Sequence, residues 1–116
     1  LGSASGVGDG RVHDEVARAS DFLLIHFNNT PVEEIRSRVE ALRRFGKPIV
    51  ANEDDKVGEE GARAARASVE AGCSWGFMHS QQNQYYPFVF QGPEDDPQVY
   101  ATLKALTSAP AHGAGR

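Results

Sequence analysis

The chain has 116 residues, of which 40% are hydrophobic and 24% charged, with a formal net charge of -4. That composition suits one small globular unit and excludes the basic stripe of a nucleic-acid binder. The longest apolar run, residues 22–25, is too short to span a membrane, and the lone Cys73 excludes an internal disulfide and a multi-cysteine zinc site.

Residues 1–20 read as an N-terminal loop and a short helix. Gly6, Gly8 and Gly10 lie in a Gly/Ser-rich stretch, but their spacing does not fit a dinucleotide-binding loop. Residues 11–19 predict the helix, with Val12 and Val16 at i, i+4 spacing. The chain opens on Leu1 rather than Met, which leaves room for an upstream segment carrying more of the fold.

Residues 21–27 (DFLLIHF) form a continuous apolar run typical of a strand buried on both faces. Asn28 and Asn29 end it. Thr30, Pro31 and Glu33 predict a capped helix start, and Val32, Ile35, Val39 and Leu42 share one face of that helix. Gly46 sits where a left-handed terminator is wanted. Residues 47–51 predict a second strand, with Pro48 at its first position. Residues 59–71 predict an Ala-rich helix, residues 73–78 a third strand, and residues 81–91 a polar, aromatic loop. Asp95 and Asp96 precede a last helix carrying Val99, Leu103 and Leu106. Residues 108–116 read as a flexible tail.

Strands and helices thus alternate at intervals of about 25 residues, which implies a parallel sheet with right-handed crossovers. The expected fold class is α/β. Residues 21–107 are assigned to the C-terminal part of a (β/α)₈ barrel, three parallel strands each followed by a helix. In such folds ligands bind beyond the carboxyl ends of the strands. Those ends are rich in polar side chains: His26, Asn28 and Asn29; Asn52, Glu53, Asp54 and Asp55; then His79, Ser80 and the loop from Gln81 through Tyr86.

The segment GKPIVANE (residues 46–53), followed by a helix and AGCSWGFM (residues 71–78), resembles strands seven and eight of the cellulase- and mannanase-type retaining glycoside hydrolases. The resemblance implies a barrel hydrolase of O-glycosyl bonds, with a secreted or periplasmic location. Glu53 falls on that family's catalytic nucleophile, and the acid/base would lie in a missing N-terminal half of the same barrel. The substrate would be a neutral carbohydrate. His26 and Asn52 would supply donors to Glu53, Tyr85 and Tyr86 would stack on sugar rings, Gln81, Gln82, Asn83 and Gln84 would bond hydroxyls, and Asn28 and His79 would also contact the substrate. No cofactor, metal, nucleic acid or membrane is expected as a partner. Trp75 departs from the family pattern, lying early in its strand rather than at the end.

Two other readings stay open at this point: a sugar-binding relative without catalysis, and a metal-dependent barrel hydrolase in which His26, Glu53, Asp54 and His79 converge on a divalent ion. A complete flavodoxin-like module would need more strands than the sequence offers. Asp54 and Asp55 read as turning toward the following loop and helix, and Cys73 as a small buried hydrophobe.

Overall fold

The computed structural model describes residues 2–4 and 8–108. Three parallel strands form one sheet in the order β1 (Gly2–Ala4), β2 (Phe22–His26) and β3 (Ile49–Glu53). The helices are α1 (Asp14–Ala19), α2 (Val32–Leu42), α3 (Gly58–Glu70) and α4 (Pro97–Ser108). Single 3₁₀ turns cover Arg43–Phe45 and Pro93–Asp95. Apart from Ser108, which closes α4, the expected tail lies outside the described residues.

The pleat divides the sheet into two unlike faces. Leu23, Ile25 and Ala51 are buried and join one cluster with Ile35, Val39 and Leu42 of α2, Ala64 and Ala65 of α3, and Val99 of α4. Successive side chains on a strand point to opposite faces, so this face is the one the helices cover. On the other face Phe22, Leu24 and His26 of β2 lie with Val50 of β3, all only half-buried. Ala17 brings α1 into the covered core.

Local signals explain most boundaries. Gly46, at φ 64°, adopts the left-handed conformation that ends the turn after α2. The expected Thr30 cap is not used. Pro31 holds the N-cap position, and the Thr30 hydroxyl instead donates to the carbonyl of Gly8 at 2.9 Å. That bond ties the first loop to the carboxyl end of β2. Asp96 does act as a cap: it accepts from the Val99 amide at 3.2 Å and from the Gly58 amide at 2.7 Å, locking the start of α3 to the start of α4.

The barrel expectation is overturned. Among the described residues the sheet is open and three-stranded, and it includes β1, which falls in a stretch read as loop. The third expected strand, residues 73–78, is reduced to one parallel bridge between Asp54 and Phe77. The cause is local. The Ser74 hydroxyl takes the Ala51 amide at 3.0 Å, replacing the backbone acceptor that a continuous ladder would supply. Gly76 then packs so closely that a Cβ there would lie 2.4 Å from the Asn52 carbonyl oxygen. Backbone pairing is confined to Asp54 N–H with Gly76 O, and Met78 N–H with Asp54 O.

Candidate functional site

The polar residues at the carboxyl ends of the strands are sorted by one irregularity in β3. Ile25 pairs with Ala51, but His26 pairs with Glu53, so Asn52 is an extra residue opposite the β2 backbone. Such a bulge shifts the pleat by one position. Counting from the buried Ala51 in strict alternation, Glu53 would enter the helix-covered core and Asp54 would face the open side. With the bulge the assignments reverse. Glu53 stands level with His26 on the open face, and Asp54 enters the core.

The two acids consequently have opposite surroundings. Asp54 is completely buried. Its Oδ2 accepts the indole N–H of Trp75 at 2.8 Å, and its Oδ1 accepts the Lys56 ammonium at 3.1 Å and the Lys56 amide at 3.2 Å. Lys56, itself buried, also donates to the Phe27 carbonyl at 2.6 Å. Burial pushes the Asp54 carboxyl above the usual aspartate range, and the Trp75 and Lys56 donors only partly pull it back. Both oxygens of Asp54 accept hydrogen bonds within the protein, so the group holds β3, the Trp75 segment and the β2 end together, and its complete burial offers no surface to a ligand.

Glu53 has no such set of partners. Its side chain is 34% exposed and that of His26 22%, with Nδ1 of His26 4.0 Å from Oε2 of Glu53. Among the described residues no Lys or Arg forms an ion pair with Glu53. Phe22, Leu24 and Val50 extend the same face away from the pair, giving it an apolar floor.

The other predicted site residues do not converge on this pair. Asn52 is the exposed bulge residue. Asn28 lies in a separate hollow of about 400 Å³ with Thr30, Asp55, Lys56 and Glu60, and its Oδ1 is buried without a hydrogen bond. His79 is turned into its own loop: its Nδ1 accepts the Gln81 amide at 3.3 Å, and its ring meets Phe77 edge-on. Asn83 donates to the Phe77 carbonyl at 3.0 Å, and the Gln82 carbonyl accepts from the Val89 amide. Tyr85 and Tyr86 stand in solvent at 70% and 87% exposure. The metal reading fails on the same geometry, because Asp54 and Glu53 face opposite sides of the sheet. Among the described residues no group of three or more His, Cys, Asp or Glu side chains could hold an ion.

The Asp54–Lys56–Trp75 cluster went unread in the sequence. Its only trace is an acid and a lysine two residues apart at a strand end, with the sole tryptophan further on. Cys73 is buried, and burial pushes its thiol up, which makes it a packed side chain rather than a nucleophile.

Compared with known protein families, curated proteins and solved structures, the chain matches none. Together with the open sheet, this overturns the glycoside hydrolase resemblance. Glu53 as a glycosyl nucleophile, an acid/base in another half of a barrel, and a carbohydrate substrate all fall with it, as do the sugar-binding and metal-hydrolase alternatives.

Proposed function

We propose that the open face of the sheet binds a small amphiphilic amine, with Glu53 as the anionic anchor and His26 as its neighbour. One observation carries this reading. A partly exposed carboxylate stands beside an imidazole at 4.0 Å at the carboxyl end of a parallel sheet, without a pairing Lys or Arg among the described residues. Carboxyl ends of parallel strands are where α/β sheets place ligands. A carboxylate in a partly desolvated setting binds an ammonium through a charge-assisted hydrogen bond more strongly than it binds a neutral donor. The half-buried Phe22, Leu24 and Val50 favour an apolar body behind the amine. Asn28, Asn52, His79, Gln82, Asn83, Tyr85 and Tyr86 have no part in this reading, since they do not converge on the pair.

The probe pair is benzylamine and benzyl alcohol, which share an apolar ring and differ in charge. Titrating each into the protein while following the His26 imidazole resonances by NMR should show saturable shifts with the amine. The alcohol should bind at least about tenfold more weakly. Glu53→Gln should reduce the amine to the level of the alcohol. Equal binding of the amine by wild type and Glu53→Gln sinks the proposal.

A further inference from the structure

The chain carries a net charge of -4, yet three of its arginines line one cavity of about 270 Å³. The cavity lies between the loop before α1 and the last turn of α2. Arg11, Arg38 and Arg44 share its lining with one acid, Asp14, and with Val12 and Leu42 among others. Neither Glu53 nor His26 lines it, so it is a different place from the open face and its amine.

Each guanidinium has a carboxylate nearby. Arg11 stands 3.6 Å from Asp9, Arg38 2.6 Å from Glu34 and Arg44 2.9 Å from Asp14. Asp14 is also 3.7 Å from Arg18, so one carboxylate is shared by two cations. In every pair at least one side chain is well exposed, and surface pairs of this kind hold weakly. Arg38 has donor capacity left over. Its Nε is buried and makes no hydrogen bond. A buried donor without an acceptor is a cost that an arriving oxygen removes. The stem of Arg38 is already packed: a Cβ added at Gly10, which has φ 70°, would lie 3.1 Å from Arg38 Cβ and 3.2 Å from its Cγ. A side chain fixed in this way loses little freedom when its head binds.

Guanidinium forks match the oxygens of phosphate through paired, charge-assisted hydrogen bonds. Three cations line the cavity against one acid, and Asp9 and Glu34 stand outside the lining. Attraction to such a lining grows with the charge of the ligand, so a phosphate dianion is drawn more strongly than a carboxylate.

We infer that this cavity binds a phosphate group, free or at the end of a phosphomonoester, on Arg11, Arg38 and Arg44. The test titrates inorganic phosphate and, separately, phenyl phosphate near pH 7 at constant ionic strength, following the Arg38 Nε–H resonance by NMR. Saturable movement of that resonance below about 20 mM with either probe supports the inference. Tighter binding of phenyl phosphate assigns the site to an ester, and tighter binding of inorganic phosphate to the free ion. Arg44→Gln should weaken binding at least about tenfold. Asp14→Asn removes the competing acid and should tighten binding at least about threefold. Both positions are exposed, and circular dichroism matching wild type confirms that each variant folds. Absence of saturation with both probes up to about 20 mM overturns the inference. So does an Arg44→Gln variant that binds like wild type, or an Asp14→Asn variant that binds more weakly, because the anion then does not meet this lining.

Discussion

Glu53 and Asp54 are adjacent in sequence and share a charge, yet the sheet uses them in opposite ways. Asp54 is sealed on the helix-covered face, with Trp75 and Lys56 on its oxygens. Glu53 looks out from the open face beside His26, with no ion pair to Lys or Arg among the described residues. The difference teaches that the role of an acid at a strand end is set by the face it reaches, and here a single bulge at Asn52 decides that. The covered face uses its acid for cohesion. The open face leaves its acid partly exposed.

The sharpest way to break this contrast is to remove the cation on the covered side. Lys56→Met leaves the Asp54 carboxylate buried without its counter-charge, and loss of one member of a buried pair costs about 3–5 kcal/mol. Urea unfolding near pH 7 should show that loss. The pH dependence has a definite sign. The native Asp54 carboxyl is already raised above its ordinary value by burial, so the native state holds that proton more tightly than the unfolded chain. The associated stability is fully present below the unfolded carboxyl's range and is lost as pH rises through the native value. Removing Lys56 raises that value further, so the Lys56→Met deficit should shrink toward about pH 4. A deficit that grows on acidification contradicts the account of this cluster.

A smaller effect should come from the seam beside the bulge. Gly76→Ala places a methyl 2.4 Å from the Asn52 carbonyl oxygen, a backbone atom that cannot swing away. Overpacking of this kind costs about 1–3 kcal/mol. It should also loosen the bridge between Asp54 and Phe77, visible as faster hydrogen exchange at the Asp54 and Met78 amides. Unchanged exchange at both amides would show that the seam does not depend on this close approach.

Much of the layout was legible because it rests on patterns the sequence carries directly. The run at residues 22–26 and the Val32, Ile35, Val39 and Leu42 face read as strand and helix, and α2, β3, α3 and α4 fall within a few residues of their expected spans. Gly46 was legible because a left-handed turn demands it. Three features were not. β1 is three residues long and has no hydrophobic signature of its own. The third expected strand carries Ser74, whose hydroxyl takes over a backbone pairing that periodicity assumes. The bulge leaves no mark on the apolar pattern, because Asn52 is polar and so are its followers. Alternation alone therefore cannot tell which of Glu53, Asp54 or Asp55 meets the core. The glycoside hydrolase resemblance rested on a short motif ending in Glu53, and a motif of that length specifies a strand end more securely than it specifies chemistry.

Glu53, on the open face, should contribute little to cohesion, in contrast to the acid beside it. The most direct test is the unfolding free energy of Glu53→Gln in urea, measured alongside wild type near pH 7. A partly exposed side chain held by no ion pair to Lys or Arg should change stability by no more than about 0.5 kcal/mol in either direction. A loss approaching the about 3 kcal/mol expected from breaking a buried pair would place Glu53 in the core and contradict the account.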